Sequence, residues 1–260
     1  MSTLNCIESY TDDENNSYAC FLIEPLEVGH AITLGNALRR TLLSDLSGFA
    51  ITGARIADVK HEFASVEGIR EDILEILLNL KEIKFAASFL TKEKVKELKK
   101  KNFKFTGILN VKGPLVVHAG MFYLPQHLVK ILNPRQYICT LVTPREFSLE
   151  IDIENGIGYK LAEEMATENL FETFHPNRPN TLLVDGLFMP IKRVNYKVKL
   201  IHDAKGNIKE SLSFEILTNG SITPHRSLQE ALKVLMNLCY GLFVNEDFLA
   251  LLEAEVSTMQ

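Results

Sequence analysis

A long helix that is apolar around most of its circumference leaves a chain few ways to fold. Residues 224 to 253 read as such a helix. Leu228, Leu232, Leu235, Cys239 and Leu242 form one stripe, and Val234, Leu238 and Phe243 lie on other flanks. A surface helix needs only one apolar stripe, so a helix with several must be covered on more than one side. A subunit interface satisfies this, and so does the centre of a monomeric core. Two starts are open as well. Thr223-Pro224 supplies an N-cap and a first-turn proline, and Ser227-x-x-Glu230 supplies a capping box.

A second helix is predicted over Thr33 to Leu46, with Gly48 as a stop. Leu34, Ala37, Leu38, Thr41 and Leu42 follow the spacing of one helical face. That side suits a core or a dimer contact. Asn36, Arg40, Leu43 and Ser47 fall nearly opposite. A guanidinium beside a leucine is a common composition at interfaces. Taken alone, a solvated Arg39-Arg40 pair on a surface helix is the more frequent arrangement.

A third helix is predicted over Glu71 to Glu82. Ile69, Ile73, Ile76, Leu77 and Leu80 line a core face, and Glu71, Asp72, Glu75 and Asn79 fall on the other. Acidic residues in the first turns suit the helix dipole.

The remainder reads mostly as strands. Residues 18 to 24 form one, ended by Pro25, which has no ladder N–H to give. Residues 49 to 63 form another, with a bulge at Gly53. From 103 to 200, strands are punctuated by Gly113-Pro114, Asn133-Pro134, Thr143-Pro144, Asn155-Gly156 and Asn177-Arg178-Pro179. Residues 195–202 and 209–217 flank Ala204-Lys205-Gly206-Asn207, a hairpin signal. The lysine-rich stretch 91–104 carries interleaved Glu93 and Glu97 and reads as a solvated face before a nucleic-acid contact.

Composition narrows the function. At 260 residues the chain suits one large domain or two closely linked ones. Its net charge of -5 disfavours a grip on duplex DNA through its own surface. Cys6, Cys20, Cys139 and Cys239 are scattered singly, which disfavours a disulfide framework or a structural zinc site. Cys20 and Cys239 sit in apolar patterns and read as buried thiols in a reducing compartment. No apolar run reaches the ~18 to 20 residues of a membrane span. Glu8, Asp12, Asp13 and Glu14 give the N-terminal region the wrong sign for a signal peptide. No phosphate loop, nucleophile elbow or paired-histidine zinc pattern appears. The seven histidines are not paired at metal-ligand spacing.

Three stretches together resemble the N-terminal domain of the bacterial and plastid RNA polymerase alpha subunit. They are EPLEVGHAITLGNALRRTLLSDLSG at 24–48, EGIREDILEILLNLK at 67–81, and NRPNTLLVDGLFMPIKRVNYKV at 177–198 with TNGSITP at 218–224. The resemblance is dense over 18–81 and 177–245 and thin between about 85 and 170. It implies an α+β fold. A dimerisation domain, 1–48 plus 175–260, would pack long helices on an antiparallel sheet. A mainly β domain, 49–174, would be inserted into it.

Two such chains would pair through Leu34, Leu38, Leu42, Leu228, Leu232, Leu235 and Leu242. The dimer would dock two large catalytic subunits, of beta and beta-prime type, through Arg40 first, then Arg39, Asn36 and Leu43. The resemblance also places Lys81 near that contact. Arginine suits the role because its planar fork binds carboxylates bidentately. No catalytic residue, metal or cofactor is expected on this chain, and magnesium is expected on the catalytic partner.

The sequence departs from the family around Gly29-His30-Ala31-Ile32, where the usual pattern is richer in glycine. It also stops at Gln260, before the small DNA-binding domain of bacterial alpha subunits. A plastid is therefore favoured over a bacterial cytoplasm, with little or no direct DNA contact. A freestanding homodimeric scaffold is the main alternative, and a small-molecule enzyme without a recognisable motif is the third reading.

Overall fold

The order of elements in the computed structural model begins with β1 (Thr3–Thr11), β2 (Ser17–Leu26), α1 (His30–Ser44), β3 (Ser47–Ile56) and α2 (Ile73–Lys81). Then come β4 (Phe85–Ala87), β5 (Lys104–Lys112), β6 (Leu115–His118), β7 (Val129–Ile131), β8 (Tyr137–Leu141), β9 (Glu146–Ile157) and β10 (Tyr159–Lys160). Last are β11 (Leu182–Leu183), β12 (Gly186–Leu187), β13 (Ile191–His202), β14 (Ile208–Thr218) and α3 (Pro224–Phe243). The structure describes residues 2–57, 59–87, 104–125, 129–164, 181–203 and 206–243. Every strand pairing among them is antiparallel, and the chain is α+β.

Two hydrophobic cores form. The first lies on a four-stranded sheet ordered β1-β2-β14-β13. Ala19 and Phe21 of β2, Val194 of β13, and Phe214 and Ile216 of β14 meet Leu38 and Leu42 of α1 and Leu228 and Ala231 of α3. Each full burial of a Leu or Phe contributes about 1.5–3 kcal/mol. Gly35 lets α1 approach closely, since a Cβ there would stand 2.9 Å from the Tyr196 ring. The second core draws on residues 51 to 184. It lies between the β11-β3-β9-β5 sheet and α2, with β6, β7 and β8 contributing.

Several boundaries differ from the sequence reading. Helix α1 begins at His30, three residues before Thr33. Gly29 at φ 91° turns the chain into the helix, and the Thr33 hydroxyl donates to its carbonyl at 3.1 Å. The buried Glu210 carboxylate, from β14, accepts the Ala31 N–H at 3.0 Å and satisfies a first-turn donor. Strand β2 runs through Pro25, which has no ladder partner and sits at a register shift opposite Glu210/Leu212. Strand β3 stops at Ile56, short of the predicted 63, with its irregularity between Ile51 and Gly53.

Helix α2 begins at Ile73, so Glu71 lies outside it and is buried. Helix α3 starts at Pro224, and the Arg226 N–H points at the Thr223 hydroxyl at 3.4 Å. This favours the Thr-Pro start over the capping box. Cys20 is buried, but Cys239 is exposed on α3, which corrects its reading as a buried thiol. The lysine stretch 91–103, the Asn177-Arg178-Pro179 turn and the predicted helix beyond Phe243 lie outside the described residues.

Candidate functional site

Helix α1 divides the predicted contact residues into two sets. Leu38 and Leu42 are 0 % and 1 % exposed inside this chain's own first core, and Leu34 packs against it. Leu38 and Leu42 have no surface left for a second copy, so the dimer contact expected of those two is corrected, whereas Leu34 is only partly buried. The 3.6-residue period found the buried face, but a buried face and an interface share one pattern.

On the other side Arg39 and Arg40 are exposed, and neither side chain has an ion pair or hydrogen bond among the described residues. Asn36 is exposed and accepts the Tyr196 hydroxyl at 2.8 Å. Leu43 is half-buried against the first core. Two unpaired guanidinium groups beside each other on a rigid helix form a ready anchor for partner carboxylates or carbonyls.

Helix α3 is covered at its start and bare further on. Leu228 is 2 % exposed and Leu235 is half-buried, while Leu232, Met236, Leu238, Tyr240 and Phe243 are exposed. The Leu242 side chain lies outside the described residues. Among the described residues nothing covers this apolar surface.

Lys81 is engaged within the chain. Its ammonium donates to Asp185 and to the Tyr159 hydroxyl, each at 3.0 Å. Asp185 also accepts the Tyr159 hydroxyl at 2.7 Å and the Ala162 N–H at 2.9 Å. The Tyr159 hydroxyl, then the Ala162 amide and Lys81, hold the Asp185 carboxyl down at about 2. This cluster ties the end of α2 to β10 and β12. Nothing local in the sequence signals it, since Lys81 and Asp185 are 104 residues apart.

A depressed carboxyl stabilises the fold above its unfolded value and stops doing so as pH falls through the folded value. Asp185→Asn should therefore cost about 1–2 kcal/mol at neutral pH, after allowing for solvent screening of a part-exposed group. Urea unfolding of both proteins should show that gap closing between pH about 4 and about 2. A gap that persists at the acid end would show that the carboxylate charge is not its source.

A cavity of about 390 Å³ opens among Gly120, Phe122, Leu124, Val129, Lys130, Ile131 and Pro134. Among the described residues its lining holds no carboxylate, thiol or imidazole, and none of the residues above lines it. Among the described residues, the groups that stand out are the exposed Arg39 and Arg40, the apolar surface of α3 and the Lys81–Tyr159–Asp185 cluster.

Residues 54–189 match the family model described as the RNA polymerase Rpb3/RpoA insert domain. A DNA-directed RNA polymerase subunit alpha of Pyropia yezoensis is 45% identical over 235 residues, covering 90% of this chain and 69% of that protein. Proteins of the same name from Rhodomonas salina and Trieres chinensis are 42% and 40% identical, over 92% and 94% of this chain and 69% and 71% of theirs. With half the chain matched by the insert-domain model and nine-tenths aligned to such relatives, the chain belongs to the alpha-subunit family of DNA-directed RNA polymerase.

Proposed function

We propose that this chain is the dimeric assembly subunit of a multisubunit RNA polymerase, with no active site of its own. Two copies pair through α3, where Leu232 from the predicted set is exposed together with Met236, Leu238 and Phe243 and Leu235 is half-buried beside them, with Leu242 kept from the predicted set. The dimer docks two large catalytic subunits of beta and beta-prime type. The observation that carries this reading is the pair Arg39 and Arg40, exposed and without a partner among the described residues, on a helix whose other face is locked into the core.

Arg40 makes the principal contact with the second-largest subunit, with Arg39, Asn36 and Leu43 around it. Lys81 acts there by holding Asp185 and Tyr159 at the end of α2. The two separate cores support a dimerisation domain of long helices on an antiparallel sheet around a mainly β insert, but Leu182 and Val184 belong to the second core, so the insert runs past the predicted boundary at 174 and the dimerisation domain resumes after it. Magnesium and catalysis belong to the partner. The net charge of -5 supports little direct DNA contact. The algal sources of the relatives favour a plastid setting.

Co-expression of the tagged chain with the two large subunits tests this. Wild type should retain the second-largest subunit. Arg40→Ala should retain at least about tenfold less, while sedimentation shows both still dimeric. Equal retention by the mutant would move the contact away from Arg40. Failure of both folded proteins to retain any polymerase subunit would overturn the assembly reading.

A further inference from the structure

Strand β13 is an outer strand of the first sheet, whose order is β1-β2-β14-β13. Its ladder to β14 runs from Ile191 to His202. Among the described residues no backbone group bonds to its other side. A bare strand edge is a template for another strand.

The side chains on this strand are sorted by face. Val194 and Tyr196 point toward α1 and the first core. Residues two apart share a face, so Arg193, Asn195, Lys197 and Lys199 line the opposite one in an unbroken register with Leu217, Glu215, Ser213 and Ser211. Arg193, Lys197 and Lys199 are exposed, and none has an ion pair or hydrogen bond among the described residues. Three unpaired cations therefore stand on the outermost strand of a chain whose net charge is -5.

We propose that the open edge of β13 docks an extended, acidic segment of a partner protein by strand addition. An added strand has the same rise of about 3.3 Å per residue, so carboxylates at its alternate positions fall opposite Arg193, Lys197 and Lys199. Its backbone also supplies the donors and acceptors that the edge lacks. A nucleic acid fits less well. It offers no ladder partners, and Glu8 and Glu215 stand on the same sheet face behind the cations, near Tyr18. A second β13 edge is disfavoured too, because like charges would face each other across the pair. The row of cations thus selects an acidic strand over a copy of itself. This inference stands apart from the Arg40 contact and does not require it.

Fluorescence anisotropy with the full chain tests it. The probe is a short labelled peptide alternating glutamate with valine. The comparisons are the lysine-valine counterpart, the glutamate peptide N-methylated at alternate amides, and a single-stranded oligouridylate. The glutamate peptide should bind, and N-methylation and the Lys197→Glu/Lys199→Glu double variant should each weaken it at least about tenfold. The lysine peptide should bind only the charge-reversed variant. Equal binding of the N-methylated peptide would reduce the surface to a diffuse charge patch and overturn strand addition. Oligouridylate binding as tightly as the glutamate peptide would make nucleic acid the ligand and overturn the assignment. No binding by the glutamate peptide above the lysine peptide would leave the cations as a guard against edge pairing alone. Because the substituted lysines are exposed and the peptide arms use the unaltered chain, a folding defect in the variant leaves the outcome decidable.

Discussion

Glu71→Ala should destabilise the chain by about 3–5 kcal/mol, the range for breaking one side of a buried charged network. The Glu71 side chain is 1 % exposed just before α2. One carboxylate oxygen accepts the Tyr137 hydroxyl and the Arg70 Nε–H, the latter at 2.8 Å. The other accepts the Thr140 N–H at 2.7 Å. Asn79 adds a bond of 3.0 Å to the Ile138 carbonyl, so the start and the last turn of α2 are both fastened to β8.

Removing the carboxylate strands the Thr140 amide without an acceptor, leaves the Tyr137 hydroxyl only the Thr140 hydroxyl, 2.6 Å away, to donate to, and takes away the Arg70 partner; an orphaned buried donor costs about 1–3 kcal/mol. Glu71→Gln keeps the shape but turns an NH₂ toward donors, so it should fall between wild type and Ala. Tyr137→Phe on top of Glu71→Ala should cost less than the two singles added, because the bond between the two side chains can be lost only once. Burial pushes the Glu71 carboxyl up, but the Tyr137 hydroxyl, the Thr140 amide and Arg70 outweigh it and leave it below the usual glutamate range. Its contribution is therefore present at neutral pH and lost as pH falls through the lowered folded value. Urea midpoints across pH would check both effects. A loss under about 1 kcal/mol for Glu71→Ala would mean that water replaces the bonds and that α2 is held by its apolar face alone.

Glu71 also marks where the sequence stops being readable. Its position on a helical wheel put it on the solvent side of α2, but the helix starts two residues later and the wheel does not apply to it. Its partners Tyr137 and Thr140 lie 66 and 69 residues away. No local pattern announces contacts of that range. The buried faces of α1 and α2 were readable because period and packing coincide: Leu38, Leu42, Ile73, Ile76, Leu77 and Leu80 are all buried as the spacing demands.

The exposure of Arg40 followed from the same wheel, which also put Leu43 opposite the core although it is half-buried against it. Which apolar residues serve the chain's own core and which remain outside did not follow. Leu228 and Leu232 share a stripe, yet the first is 2 % and the second 40 % exposed, since the buried face runs through Leu228, Ala231 and Leu235 and leaves Leu232 outside it. Cys239 was misread for the same reason. Pro25 stopped a predicted strand because proline cannot donate, yet the real strand absorbs it at a register shift, where no donor is required.

Gly48→Ala should cost about 3 kcal/mol, although it adds one methyl group at the half-buried start of β3. A Cβ on Gly48 would lie 2.1 Å from the Phe188 carbonyl oxygen and 3.0 Å from its carbon. Those are backbone atoms, so the clash cannot be relieved by a rotamer change. Phe188 also cannot retreat. Its ring is 2 % exposed and fills a slot over Gly156 and Gly186, where added Cβ atoms would stand 2.8 Å and 2.6 Å from it. Its N–H is bonded to the Gly158 carbonyl at 3.0 Å.

Gly48 in turn pairs with Gly156 across β3 and β9, so moving it disturbs the ladder at the point where the chain leaves α1. Gly158→Ala is the control. An added Cβ there meets nothing within 4 Å, and the residue has only its φ of 73° to set against alanine, a cost of about 1 kcal/mol. Thermal and urea unfolding of the two variants should therefore separate steric exclusion from backbone strain. If Gly48→Ala were no worse than Gly158→Ala, the Phe188 segment would have to slide without losing its slot. The junction behind the Arg39–Arg40 helix would then be far softer than its contacts imply.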